Sequence, residues 1–412
     1  MHQHFRLPTS AFRPLTLALL ISPLLPLTFA PSALADAASD IAGFTIRPGY
    51  TVTLAADNLT SARFMEQDDK GNLYLSQPDQ GSVQMLREPD AQGLYKTRTE
   101  FITGQPTIHG LCWHDGWLYA STSGTVLRAK DTNADGKADT VETIIGSGLP
   151  SGGNHWWRSL LVTDHFIYTS VGDSGNITDE RETDRQKIWR FNLDGSHKTF
   201  FVGGIRNTEK LRFRPGTEEI WGCDHGSDNF GRLIKERTGR NQPVTDFNPP
   251  DELNRYTEGG FYGHPFITGL RSPRYEFMNK EGIDLVDLAS KTVPPQWCFP
   301  AHVATNGHCF IDPTINGKNN ALPADHSGDL FVACHGSWNR VEPSGYYVLR
   351  VLFDRVSGKP YGSLPIVTTI SPDGKKVLGR PVDCVQTPDG SVLFSDDFRN
   401  RIYRIRSTDA RK

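Results

Sequence analysis

The sequence predicts an all-β fold, a six-bladed β-propeller with four-stranded blades and loop insertions. Two observations predict it. One phrase recurs six times, each copy joining a Gly- or Asp-bearing turn to a short strand rich in β-branched and aromatic residues. Four of the five gaps between copies are about 45 to 60 residues, near the ~40–50 residues of one four-stranded blade. Radial repetition around a channel is also an economical way to hide sheet edges. A pair of β-sandwiches would not produce six copies of one phrase.

The first copy reads Asp69-Lys70-Gly71-Asn72-Leu73-Tyr74-Leu75-Ser76, and the second covers residues 115–121. The third, residues 164–170, lacks the glycine. The fourth, fifth and sixth cover 215–222, 327–333 and 388–395. A second strand follows most copies, at residues 82–86, 187–193, 346–353 and 401–406. The gap between the fourth and fifth copies is roughly double the others and reads as holding an insertion over 235–295. A strand near residues 44–55 is placed to complete the last blade and close the ring.

Residues 1–35 read as a secretory signal peptide. Arg6 and Arg13 form the basic flank, an apolar run covers residues 15–30, and Ser32-Ala33-Leu34-Ala35 precedes a cut ahead of Asp36. The run is short for a membrane anchor and is broken by Pro23, Pro26 and Pro31, so no stable membrane span is expected. Residues 36–412 are then one exported propeller domain, periplasmic or secreted. Cleavage takes the net charge from −3 to −5, because two arginines and no acids leave. Basic tracts are absent, which argues against a nucleic-acid partner. Export permits disulfides among Cys112, Cys223, Cys298, Cys309, Cys334 and Cys384, and the short loop from Cys298 to Cys309 makes that pair the favoured one. No C-x-x-C-H motif is present, so the chain carries no covalent haem of its own.

One motif stands apart from the repeat. Residues 131–142 fit the calcium loop pattern D-x-[DN]-x-[DN]-G-x5-E. Asp131, Asn133, Asp135, Asp139 and Glu142 would supply side-chain oxygens, Lys137 its carbonyl, and Gly136 the sharp turn. Strands rather than helices flank it, so the reading is a hairpin loop that holds a second calcium; an acidic turn without metal is the alternative.

The remaining polar motifs fall in loops, where propellers place their sites. In order they are Gly152-Gly153-Asn154-His155, Gly172-Asp173-Ser174-Gly175-Asn176, Gly204-Ile205-Arg206-Asn207, Asp224-His225-Gly226-Ser227-Asp228-Asn229 and Pro249-Pro250-Asp251-Glu252-Leu253-Asn254. Tyr262-Gly263-His264-Pro265, His335-Gly336-Ser337-Trp338-Asn339-Arg340 and Gly379-Arg380-Pro381-Val382 follow. Each is weak alone. The ordered set, spanning about residues 44–406, resembles the soluble sugar dehydrogenases that depend on pyrroloquinoline quinone (PQQ), including the L-sorbosone dehydrogenase type.

That resemblance implies PQQ held with calcium, and oxidation of a sugar or sugar-derived aldehyde. Histidine suits removal of a hydroxyl proton as hydride departs, and the resemblance makes His155 that base. Asn154 stands where a supporting carboxylate or amide is expected. Arg206 would stabilise negative charge on the reduced quinone, with Asn207 as a further donor. Gly226 and Ser227 match a segment whose backbone carbonyls hold the calcium, with Asp224 and Asp228 adding negative charge nearby. Arg380 and Arg340 are candidates to pair with PQQ carboxylates. Ser174 and His109 are further candidate cofactor contacts. Trp297, Phe299 and His302 lie in the region assigned to the substrate. An external acceptor (a quinone, a cytochrome or a dye) would collect the electrons. The competing readings are a calcium-dependent lactonase-type hydrolase on a six-bladed propeller, and a non-catalytic binding propeller.

Overall fold

The computed structural model describes residues 33–230, 243–319 and 321–408. Within them, six antiparallel sheets stand as blades, each a four-strand meander. Blade one is Met65–Gln67, Leu73–Gln77, Ser82–Pro89 and Tyr95–Ile102. Blade two is Leu111–His114, Trp117–Ser121, Val126–Lys130 and Thr140–Ile145. Blade three is Leu160–Val162, Phe166–Val171, Lys187–Asn192 and Thr199–Gly203. Blade four is Thr208–Phe213, Ile220–Asp224, Pro250–Tyr256 and Trp297–Ala301. Blade five is Thr305–Phe310, Leu330–Cys334, Tyr347–Phe353 and Pro360–Thr368, with Thr45–Ile46 added at its edge. Blade six is Pro381–Gln386, Val392–Asp396 and Arg401–Ser407, finished by the N-terminal strand Tyr50–Ala56.

The first strands of successive blades touch in order, and the last returns to the first, so they line the axis. Every copy of the repeated phrase forms a second strand. These strands are clamped between neighbouring blades. Leu73–Gln77, Ile220–Asp224, Leu330–Cys334 and Val392–Asp396 are buried along their whole length, which is why the phrase is apolar on both faces. Period-two alternation survives mainly in outer strands such as Tyr95–Ile102 and Pro360–Thr368, where one face meets water. One apolar cluster fills each blade–blade interface. Trp221 and Leu253 meet Phe310 and Val332 between blades four and five, and Phe331 and Val348 meet Phe394 and Cys384 between five and six.

The inner strands of blades four, five and six each carry a bulge: pairing shifts between Thr208 and Leu211, Thr305 and His308, and Pro381 and Cys384. An extra residue re-aims side chains, and the bulges hold Glu209, Lys210 and Asp383. Lys210 Nζ reaches both oxygens of Asp383, at 2.6 and 2.7 Å, and Met65 N–H donates to the same carboxylate at 2.8 Å. Inner strands of blades four, six and one are thereby tied together. A Cβ on Gly307 of blade five would collide with Asp383 Oδ1, so that position must stay bare.

Two expectations change. The predicted insertion at 235–295 contains the third strand of blade four, Pro250–Tyr256. Its acids and leading prolines read as loop, yet Asp251 is buried and its carboxylate is bound by backbone N–H groups. The inserted chain after this strand forms the small hairpin Ile267–Thr268 and Ser272–Pro273 and the helix Leu285–Lys291, packed on Phe266 and Phe277. The Cys298–Cys309 disulfide is also corrected, because all six cysteines are free. Cys298 lies on the outermost strand of blade four and Cys309 on the innermost strand of blade five.

The predicted leader lies outside the described residues except at its end, and the predicted cut ahead of Asp36 falls inside the helix Ala33–Gly43. Among the described residues no helix is long and apolar enough to cross a membrane.

Candidate functional site

In a four-strand meander, the links from second to third strand and from fourth strand to the next blade emerge at the same end of the ring. His155, Arg206, His302 and Arg380 ride on inter-blade links, and Gly226, Asp228, Trp338 and Asn339 on second-to-third loops. His155, Arg206, His225, Gly226, Asp228, His302, Trp338 and Asn339 border one cavity of about 150 Å³. Arg380 reaches its wall, donating to the carbonyls of His335 and Gly336 at 3.2 Å each, and Gly336 borders the cavity. His155, Arg206, Gly226 and Arg380, each tied by the resemblance to the cofactor or its calcium, therefore gather at one mouth.

His155 is buried, and its Nδ1 lies 2.8 Å from the carbonyl of Asp173. A carbonyl only accepts, so Nδ1 carries the proton and Nε2 is left as the acceptor. Burial, reinforced by the Arg206 guanidinium, pushes this imidazole down to about 2, so it is neutral near pH 7. Asp173 is itself fixed. Burial works to raise its pKa, but the 2.7 Å bond from His264 and the N–H groups of Gly175 and Thr178 hold it below the usual carboxylate range.

Arg206 is buried, and its backbone N–H donates to Asp224 Oδ2 at 2.9 Å. Asn207 lies one step below, its amide nitrogen 2.9 Å from Glu209 Oε1 and 3.1 Å from His225 Nδ1. Glu209 continues to Arg63 at 3.1 Å, and Arg63 to Asp397 at 2.8 Å. A charged network thus floors the site across the channel.

Gly226 has no room for a side chain. A Cβ there would lie 2.7 Å from the Pro250 carbonyl oxygen and 2.8 Å from that of Pro249. Gly226 and Ser227 also border a second, smaller cavity of about 20 Å³ with Asp224, Pro249, Pro250 and Glu252. Burial, with Asp224 nearby, lifts Glu252 to about 8. Ser227 Oγ accepts from Arg274.

Other predicted residues lie away from the cavity. Asn154 is exposed and its backbone N–H bonds the Ser174 carbonyl; Ser174 N–H is taken by Glu180. Arg340 turns outward to the Ala301 carbonyl at 3.2 Å and stacks over Phe247. His109 is fully buried in the channel between Phe64 and Trp157, 3.6 Å from Glu209. Phe299 is core between blades four and five and Trp297 packs against it, so of the three substrate candidates His302 alone borders the cavity. In the 131–142 loop, Asp131 and Asp139 accept from the loop's own N–H groups, and Glu142 pairs with Arg128 at 2.7 Å. Among the described residues no group of three or more His, Cys, Asp or Glu side chains is gathered as a metal site.

Sequence reasoning gave no role to His225, Asp251, Trp338 or Asn339. All four lie within quoted motifs, and Trp338 is 57% exposed at the cavity's rim. A tryptophan set among the polar loop residues Ser337, Asn339 and Arg340 was the available signal.

The family model described as TrAA12-like matches residues 44–406. A PQQ-dependent pyranose dehydrogenase of Coprinopsis cinerea is 23% identical over 87% of this chain and 54% of its own length, so the chain spans about half of that relative. The holo PQQ domain of the Coprinopsis cinerea pyranose dehydrogenase superposes with a TM-score of 0.73 at 20% identity, covering 88% of this chain and 97% of that one. The calcium structure of a Trichoderma reesei carbohydrate-active enzyme of family AA12 gives 0.73 at 21% identity, covering 89% and 97%. At these identities the structural likenesses speak for the fold.

Proposed function

From membership of the TrAA12-like family, to which this chain belongs, we propose that the protein is a PQQ- and calcium-dependent dehydrogenase of a sugar or sugar-derived aldehyde, aldose or L-sorbosone. The observation that carries this reading is His155. Its Nδ1 is committed to the Asp173 carbonyl, and its Nε2 is left to accept a proton in a cavity that Arg206 shares.

The donor set fits a flat polyanion. Arg206 supplies a guanidinium edge, Arg380 stands behind the wall, and the exposed Trp338 offers an aromatic face. Asp228 and Asp251 also border the cavity. A cation beside them would offset their remaining repulsion of a tricarboxylate, and the oxygens around Gly226 suit calcium. Gly226 and Ser227 would hold that ion through their carbonyls.

Bound PQQ would supply the two-electron sink for the departing hydride. His155 Nε2 takes the proton from the substrate hydroxyl, and Asp173 keeps the imidazole in the tautomer that can do so. Arg206 places positive charge where negative charge grows. Trp338 offers a surface for the apolar face of a sugar ring, and His302, whose Nε2 is held by the Thr245 carbonyl at 2.6 Å, presents Nδ1 beside Asn339. Electrons then pass to an external acceptor. The organisation proposed is an exported, periplasmic or secreted single domain over residues 36–412.

A hydrolase would need carboxylates free to converge on a metal. Here Asp251 accepts two backbone N–H bonds, and Asp228 is bound by Arg206 and Asn339. The test is reconstitution. Apo-protein receives PQQ and calcium, and absorbance and dye reduction are followed with a panel of aldoses and L-sorbosone. Absence of both a spectral change and turnover defeats the proposal.

A further inference from the structure

The Arg206 guanidinium is held before any ligand arrives. Nε donates to the backbone carbonyl of Asn176 at 3.0 Å, and Nη2 donates to Asn176 Oδ1 at 2.8 Å and to Asp228 Oδ2 at 3.2 Å. The two acceptor residues are locked to each other. Asn176 Nδ2 donates to the Asp228 carbonyl at 2.8 Å, and Asp228 N–H donates back to Asn176 Oδ1 at 2.9 Å. Asp228 Oδ1 takes a further bond from Asn339 Nδ2 at 2.7 Å. Second-to-third loops of blades three, four and five therefore converge on one guanidinium. Nη1 has no partner among the described residues, and Arg206 borders the cavity.

We infer that Asn176 is a positioning residue that presents the Nη1 edge of Arg206 to the bound cofactor, while Asp228 sets how much of that positive charge the cofactor feels. The inference rests on the PQQ reading above. A guanidinium is planar, and two acceptors along one edge fix both its plane and its rotation. Orientation settled before binding is not charged against binding or against the growth of charge during reduction. Asp228 works the other way: its carboxylate lies beside the guanidinium and offsets part of its field. Asn176 ends the Gly172–Asn176 motif, yet it does not border the cavity, so it acts through Arg206.

The two residues are separable because they push in opposite directions. Wild type, Asn176→Ala and Asp228→Asn are loaded with PQQ and calcium. The PQQ dissociation constant is taken from absorbance titration, the midpoint potential of the bound cofactor from mediated spectroelectrochemistry, and integrity from thermal melting of the apo-protein. Loss of one charge-assisted hydrogen bond in Asn176→Ala should weaken the preference for reduced over oxidised cofactor about ten-fold, a fall of about 30 mV for a two-electron couple. Asp228→Asn keeps the shape and the bond from Asn339, gives up the longer bond from Arg206 Nη2, and removes the opposing charge; the charge outweighs the lost bond, so its potential should rise. A loop that merely loosens would lower both potentials or move neither. Unchanged potentials, or shifts of the same sign, in a protein that binds PQQ overturn the clamp. If Asn176→Ala does not melt as a folded protein, a null or downward shift in Asp228→Asn overturns it alone. Failure of the wild type to bind PQQ overturns the functional reading instead.

Discussion

Replacing Lys210 with methionine leaves Asp383 as a carboxylate without a cation in the middle of the ring. Both side chains are nearly inaccessible, at 3% and 0% exposure. The carboxylate keeps its bonds from the N–H groups of Met65 and Cys384, each 2.8 Å, but these do not balance a full charge. Breaking a buried pair from one side costs about 3–5 kcal/mol, most of it the stranded partner. Lys210→Met should therefore lose about that much unfolding free energy. Adding Asp383→Asn removes the stranded charge and leaves an oxygen for the Met65 N–H, so the double variant should recover at least half the loss. The assay is guanidinium unfolding of apo-protein by fluorescence, read as midpoint and slope across the double-mutant cycle. A loss under about 1 kcal/mol for Lys210→Met, or a double variant worse than the single one, refutes the reasoning.

His155→Ala should reduce kcat by about 10²–10⁴-fold while the spectrum of bound PQQ persists, since the change removes a base and leaves Arg206 and Gly226 in place; loss of PQQ binding would contradict this. Gly226→Ala must drive apart backbone that is already 2.7–2.8 Å from the new Cβ. It should cost about 1–3 kcal/mol and raise the calcium needed for PQQ binding at least ~ten-fold, so an unchanged calcium titration counts against the assigned metal segment. The apo-protein should lose stability as pH falls from 7 to 5. His155, pushed down to about 2, binds protons more readily when unfolded, so its share is full above about 6.5 and drains below it, the loss reaching about 2 kcal/mol at pH 5. His109, His264, His308 and His335, also pushed down by burial, add to this slope and outweigh the opposite ones from Glu252, raised to about 8, and Asp396, raised to about 6. Thermal melts at fixed ionic strength that stay flat over that range would contradict it.

The ring was legible because each second strand is squeezed between two blades and so repeats a dense apolar phrase. The third strand of blade four escaped because Asp251 is a buried acid and Glu252 a half-buried one, and burial of an acid leaves no hydrophobic pattern to read. The closing strand was legible because Tyr50–Ala56 has the composition of a strand with no neighbour of its own in sequence. At the site, the motifs located the loops, but which residue of a motif faces inward depends on local turn geometry. Thus Trp338 and Asn339 border the cavity where Arg340 was expected, and Phe299 joined the core. The cysteine pairing failed because only ten residues of chain lie between Cys298 and Cys309, yet one is on the outermost strand of its blade and the other on the innermost strand of the next.

The seam in blade six has a consequence for how this molecule is made. The strand Tyr50–Ala56 is synthesised early, and its partner Arg401–Ser407 comes roughly 350 residues later. Until both are present, two rows of backbone donors and acceptors have nothing to bond, a ready template for pairing with another chain. Chains cut short before Arg401 by a stop codon or a protease would keep those rows bare for good. Such fragments should accumulate as aggregates and not as five-bladed rings.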